Sequence, residues 1–376
     1  MSIDFSGRWA WADVHMGLIQ HNVAIVAQRV APAQVWAVVK ANAYGHGAIP
    51  VAQAALAAGA TGLCVAITDE GVALRRAGIT APILVLSEQP AEMTEFLVGY
   101  GLTPTIASTR GAAVVARAAE AADRKVPVHI KIDTGMHRVG VAPSEALNLA
   151  RYIQSFESLA IEGIYTHFAV ADEPSHPANE KQLSLFNDVL AQCAAAGIEP
   201  PMVHAANSAA ALVNPDARFS MVRLGIAMYG LLPGPGVAEQ CQGLIPALSL
   251  KGRVSAVRLV EKGEAVSYGL RRPLATTSLI ATVPIGYADG VPRSLIDSDI
   301  QVLVNGVPRS LAGTITMDQL MLDCGNDFDV TVGDEVVLIG RQGEHVVTAD
   351  NWADALGTIG YEIVCGIGER VFRRYQ

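Results

Sequence analysis

The stretch QVWAVVKANAYGHGAIPVAQAALAAGATGLCVAI (34–67) decides how the chain is read. It opens with an apolar β-type run, 34–40. A loop with Gly45 and Gly47 follows, then an alanine-rich helical stretch stopped by Gly59. GLCVAI (62–67) begins a second apolar run. The unit is therefore strand, loop, helix, strand, and it repeats. Further strand candidates are PILVL (82–86), LTPTIA (102–107), VPVHIKI (126–132), IEGIYTH (161–167), PMVHAA (201–206) and MVRLG (221–225). Helical stretches fall between most of them, at 68–78, 90–100, 109–122, 143–155 and 178–196. Counting 34–40, there are eight strands, each followed by a helix or helical turn. Such alternation predicts parallel strands with right-handed crossovers. Eight units in roughly 220 residues fit a closed (β/α)8 barrel of the TIM type. An open doubly wound sheet competes, but no G-x-G-x-x-G follows the first strand to favour it.

Upstream, Met16, Ile19, Val23, Val26 and Val30 recur at helical spacing and predict a core-facing helix over 15–31. Downstream, the character changes at LLPGPG (231–236). Beyond it lie alternating β-type runs with few helical stretches, and Asn305-Gly306 is a hairpin signal. A mostly antiparallel β domain is expected there. The strand-like first dozen residues are candidates to pair with it. The expected division is 14–235 for the barrel and 236–376 with 1–13 for the β domain.

The chain has 376 residues, 51% of them hydrophobic and 17% charged, which excludes disorder as its main state. Its net charge of −9 argues against a general nucleic-acid or anionic-membrane partner. The five cysteines include no C-x-x-C, so neither a zinc site nor a disulfide scaffold is expected. His15, His21, His176 and His345 have no ligand spacing, so no metal is expected. There is no signal-peptide pattern at the start and no apolar run of about 18 residues, so the expected location is the cytoplasm.

Barrel chemistry sits at the C-terminal ends of the strands. Reading those ends gives Lys40, Lys131 with Asp133 and Arg138 beyond it, His167, then His204, Asn207 and Ser208, and finally Arg223 with Gly225 and Ile226. A lysine ending a buried apolar strand is unusual, because burial penalises the ammonium and frees the amine for Schiff-base chemistry. Asn207-Ser208 before Ala-Ala-Ala resembles a helix start, able either to cap the helix or to hold a phosphate. Together these features suggest pyridoxal phosphate or a phosphorylated carbonyl substrate, which leaves an aldolase open at this point.

The residues then resemble one family throughout. VVKANAYGHG (38–47), KIDTGMHRVG (131–140), THFAVAD (166–172), HAANSAAAL (204–212), RLGIAMYG (223–230), SYG (267–269), PIGYADG (284–290), TMDQLMLD (316–323) and GTIGYEIVCGIGERVFRRY (357–375) resemble alanine racemases, in the same order. That resemblance implies a fold-type III pyridoxal 5'-phosphate enzyme, a homodimer with active sites shared between subunits, and D-alanine supply for peptidoglycan. It implies Lys40 as the residue holding the cofactor as an internal aldimine. Tyr44, Ser208, Gly225, Ile226 and Tyr361 would hold the phosphate. Arg223 would meet the pyridine nitrogen, and His167 would lie beside the ring. Lys131 would be the carbamylated lysine that positions Arg138, the binder of the substrate carboxylate. Tyr268 and Met317 would reach the neighbouring subunit's site, with Asp318 orienting the Met317 loop. Lys40 and Tyr268 would be the two bases, one for each face of the α-carbon. Because arginine only donates, Arg223 would leave the ring nitrogen unprotonated and so weaken carbanion stabilisation and transamination.

Three positions depart from the family pattern. Thr314 stands where many relatives have arginine, Thr316 where many have cysteine, and His137 where many have glycine. The two threonines put alanine against serine in question. A racemase of serine or of several small amino acids is the near alternative. A decarboxylase is disfavoured by a carboxylate clamp such as Arg138, and a non-catalytic cofactor carrier by the long β domain.

Overall fold

The computed structural model describes residues 7–376, so the first six residues of the predicted N-terminal strand lie outside the described residues. The described chain divides into two compact units. One contains the residues up to Leu18, Tyr44–Gly47 and Ile245–Gln376, and the other contains Ile19–Ala43 and Ala48–Leu244.

In the second unit the strands Gln34–Val38, Gly62–Val65, Ile83–Val85, Thr103–Ile106, Val126–Lys131, Leu159–Tyr165 and Met202–His204 lie side by side in chain order. Met221–Leu224 returns to pair in parallel with the first of them, with Trp36 opposite Arg223. Ser220 N–H donates to Val203 O and Arg223 N–H to Ala206 O across the remaining seam, so the barrel is nearly closed. Every strand pairing in it is parallel. The predicted (β/α)8 barrel is thus present, and the open doubly wound sheet is not.

Helices follow the strands where apolar positions recur at helical spacing. Thr109–Ala121 buries Ala112, Val115, Ala116 and Ala119, and its N-cap Ser108 accepts from Gly111 N–H. Ala146–Gln154 buries Ala146, Leu149, Ala150 and Ile153. The predicted first helix runs Met16–Val30 and buries Ile19, Val23, Val26 and Val30 as its spacing requires. No helix among the described residues is long and apolar enough to cross a membrane.

The other unit is a sheet of ten strands among the described residues. All its pairings between named strands are antiparallel except that of Ala10–Val14 with Phe372–Tyr375. Two helices, Ala349–Leu356 and Gly360–Gly366, precede that last strand. Asn305-Gly306 forms the expected two-residue hairpin between Gln301–Val304 and Val307–Leu311, with φ of +53° and +78°.

Both hairpin residues occupy the left-handed region, where a β-branched side chain is strained. Replacing Gly306 by Val should therefore lower stability by about 1–2 kcal/mol in urea unfolding. Unchanged stability would contradict the turn geometry.

Candidate active site

The strand Gln34–Val38 ends two residues before Lys40. The backbone then turns the wrong way for an L-peptide. Ala41, Asn42, Ala43 and Tyr44 all have φ between +51° and +53°, one turn of left-handed helix. Such residues cost roughly 1–2 kcal/mol each, and non-glycine residues adopt them as single residues rather than in runs. The turn is held from several sides. Ala43 N–H donates to Val39 O at 2.9 Å. Glu70 Oε1 accepts from Ala41 N–H at 2.6 Å, while its Oε2 accepts from Ala66 N–H. Asn42 Oδ1 accepts from Ala48 N–H at 2.8 Å. Strain this dense, directly beside the candidate nucleophile, marks the site.

Four cations converge on the barrel mouth. Lys131 is 5% exposed and its Nζ lies 5.6 Å from the Tyr165 ring centre. Burial first, then the charges of Arg223, Arg138 and Lys40, push its pKa down to about 8. Arg223 is 3% exposed. Its guanidinium donates to His204 Nδ1 at 2.6 Å, Thr166 O at 2.9 Å, Ala205 O at 2.9 Å and His167 Nδ1 at 3.0 Å. Among the described residues no carboxylate forms an ion pair with Lys131, Arg138 or Arg223. Burial, helped by the same cations, holds the pKa of His167 well below that of a free imidazole. It is neutral, accepts from Arg223 on Nδ1, and contributes no charge.

The loop after Lys131 is shaped by Asp133, whose Oδ1 accepts from the N–H groups of Gly135, Met136 and His137. These bonds outweigh the cost of burial and hold the carboxyl below its usual pKa range. His137 has φ +56° and its side chain is 84% exposed. It is a surface turn residue in a conformation that suits glycine. Arg138 follows it and is exposed.

Asn207 caps the short helix Ser208–Val213 through Ala210 N–H. Ser208 Oγ accepts from Gly225 N–H at 2.9 Å and from Ala227 N–H at 3.4 Å. Its hydroxyl proton is directed elsewhere, and Gly225 and Ile226 lie in the same turn. In the β unit the rings of Tyr44 and Tyr361 lie 5.9 Å apart.

Tyr268 is 74% exposed and Met317 is 52% exposed. Each sits on a braced loop. Ser267 O–H donates to Thr314 O at 2.6 Å, and Thr314 O–H donates to Tyr268 O at 2.8 Å. Thr314 therefore clamps the backbone of the Tyr268 loop. Thr316 closes the next turn, exchanging bonds with Gln319 through both its backbone and its hydroxyl. Asp318 pairs with Arg370 at 2.7 Å, and Arg370 lies 3.4 Å from Asp289, which also holds Arg8. Asp318 thus ties down the Met317 turn through Arg370.

The residue pattern did not single out Glu70, Asp289, Arg370, His129 or Tyr165. His129 carried a signal, a polar residue in the middle of an apolar strand.

The comparisons with known proteins match this arrangement end to end. The family model "Alanine racemase, N-terminal domain" matches residues 14–233, and "Alanine racemase, C-terminal domain" matches 247–375. The chain belongs to the alanine racemase family. An alanine racemase of Symbiobacterium thermophilum is 45% identical over 374 residues, covering 99% of each chain. The alanine racemase structure of Bacillus anthracis with bound L-Ala-P superposes with a TM-score of 0.92 at 39% identity, covering 98% of this chain and 95% of that one. A histidine racemase of Leuconostoc mesenteroides shares the fold at 27% identity and TM-score 0.91, covering 98% of each chain. Membership makes the chain a racemase-family isomerase with the barrel and β domain described.

In carbon-dioxide-free buffer, competitive trace acetylation should give Lys131 a midpoint of about 8. An exposed lysine titrates near ~10.4. A midpoint above ~10 would contradict the described surroundings of Lys131.

Proposed function

We propose that this chain interconverts L- and D-alanine with pyridoxal 5'-phosphate, as a homodimer in the cytoplasm, and supplies D-alanine for peptidoglycan. The observation that carries the reading is the buried Arg223 and Lys131 at the barrel mouth, neither in an ion pair with a carboxylate among the described residues, within a chain of this family from end to end. In this reading 14–235 is the cofactor barrel and 236–376 with 1–13 the β domain.

The residues suit the cofactor chemically. It carries a phosphate and a phenolate, the substrate adds a carboxylate, and uncompensated buried cations favour anions. Pyridoxal phosphate, when bound, draws electrons from the substrate's α-carbon and so acidifies its hydrogen.

Lys40 is the residue that would hold the group covalently. Ser208 would donate its hydroxyl proton to the phosphate, beside Gly225 and Ile226, with Tyr44 and Tyr361 as further phosphate ligands. Arg223, a donor only, offers a hydrogen bond to the pyridine nitrogen and does not protonate it. His167 lies beside it as a neutral imidazole. Arg138 binds the substrate carboxylate, with Lys131 as its positioning partner. A neutral amine reacts with carbon dioxide, and the lowered pKa of Lys131 gives it one near neutral pH, so the carbamate is chemically accessible.

Two bases on opposite faces invert the α-carbon without turning the substrate. Lys40 serves the D-isomer, and Tyr268 of the partner subunit the L-isomer. Thr314 sets where Tyr268 stands, and Met317 of the partner subunit closes the substrate side. The histidine racemase relative favours a second reading, that the same scaffold accepts other side chains, serine and small amino acids first.

Chiral chromatography of separate alanine and serine incubations tests the reading. Alanine should racemise faster. No turnover of either would reject it, and serine turning over faster would favour the alternative. Lys40→Ala and Tyr268→Phe should each cut alanine kcat by at least ~100-fold, in the range for a lost acid–base group. Mixing the two variants after subunit exchange should restore activity through dimers with one intact site. No recovery would contradict sharing. Thr314→Val should lower kcat several-fold while Thr314→Ser stays near wild type; equal behaviour would remove the clamp from the account.

A further inference from the structure

A line of hydrogen bonds runs from Arg223 through two buried histidines to a carboxylate. Arg223 donates to His204 Nδ1 at 2.6 Å. His204 Nε2 lies 2.9 Å from His129 Nδ1. His129 Nε2 lies 3.2 Å from Glu162 Oε2. Both imidazoles are fully buried, and the Glu162 side chain is about one-third exposed at 34%.

The donor inventory fixes every proton on this line. A guanidinium has no acceptor, so His204 Nδ1 must carry a lone pair. The neutral ring then holds its proton on Nε2 and donates to His129 Nδ1. That leaves the His129 proton on Nε2, directed at the Glu162 carboxylate. The charges agree: burial lowers the pKa of both histidines, for His129 against the opposing pull of the Glu162 hydrogen bond and charge, and Arg223 lowers both further. The strand is also built around the ring, because a Cβ at Gly163 would lie 2.5 Å from His129 Cε1 and Nδ1. Tyr165 stacks on His204 at 4.5 Å and 8°, which fixes that ring's plane.

We propose that Glu162 is a positioning residue that, acting through His129 and His204, orients Arg223 and sets its strength as a donor toward the cofactor ring. Polarised by the carboxylate, His204 Nδ1 becomes a stronger acceptor and draws on one Nη of Arg223. The other end of the guanidinium is thereby held in a single orientation. A glutamine at 162 keeps the last acceptor. A leucine removes it and leaves the buried His129 N–H without a partner. A lysine reverses the line, since it requires His129 to accept on Nε2, which drives the His204 proton onto Nδ1 against Arg223.

The reading of Arg223 as the ring-nitrogen partner rests on the function proposed above, whereas the proton positions do not. Nitrogen-15 spectra of histidine-labelled protein without cofactor should therefore come first. Wild type and Glu162→Gln should each show His204 with a non-protonated Nδ1 and His129 with a protonated Nε2. Glu162→Leu should show the His129 tautomers averaged, and Glu162→Lys should show them inverted or averaged. In the loaded enzyme, alanine KM should stay within about twofold throughout. kcat should fall least in Glu162→Gln, which keeps the acceptor but loses the charge, several-fold in Glu162→Leu and further in Glu162→Lys. Fixed tautomers in Glu162→Leu, or an unchanged kcat in it, would overturn the proposal. Absence of cofactor binding would instead overturn the functional reading and leave the tautomer result standing.

Discussion

Arg223 is a guanidinium buried to 3% exposure with no carboxylate beside it, and the rest of the site follows from that constraint. A buried charge without a counter-ion is expensive unless dipoles surround it. Here two backbone carbonyls and two imidazole nitrogens fill that role. The imidazoles serve only as neutral acceptors, and burial with neighbouring cations keeps His167 and His204 neutral. The same positive field depresses the Lys131 ammonium. What remains at the barrel mouth is buried positive charge on Arg223 and Lys131 with no carboxylate ion pair among the described residues, in a form that suits phosphate, phenolate and carboxylate.

The scaffold concentrates its strain where that charge collects. A parallel barrel brings the C-terminal ends of eight strands to one rim, so Lys40, Lys131, His167, His204 and Arg223 meet although far apart in sequence. Directly after Lys40 comes a left-handed turn that no local propensity favours. Glu70 holds it by accepting from both the Ala41 and the Ala66 backbone. The β unit braces its exposed Tyr268 and Met317 loops differently, with the Thr314 clamp and with the chain of Asp318, Arg370, Asp289 and Arg8. Exposed aromatic and thioether side chains on rigid loops suit contact with a second copy of the chain, as the dimer reading requires.

Much of the fold is legible in the sequence because its signals are local. Period-two and period-3.6 patterns separate strands from helices, and Asn305-Gly306 announces its hairpin. The position of polar residues at the C-terminal ends of apolar runs then gathers Lys40, Lys131, His167, His204 and Arg223 into one group. Three kinds of feature stay hidden. The left-handed turn at 41–44 contradicts the preferences of Ala and Tyr, so propensity cannot report it. The Glu70 and Arg370 contacts join residues 29 and 52 positions from their partners, and pairing at that distance leaves no periodic trace. Thr314 reads as a departure from the family pattern that bears on substrate preference, whereas its hydroxyl is a backbone clamp, a role set by loop geometry rather than residue type.

The central claim is that the Lys40 amine takes up an aldehyde cofactor at this rim. Its most direct test is borohydride reduction of the protein incubated with pyridoxal phosphate, followed by peptide mapping. The account predicts one phosphopyridoxyl group per chain, on Lys40. Label spread over surface lysines, or placed on Lys131 with Lys40 unmodified, would contradict it.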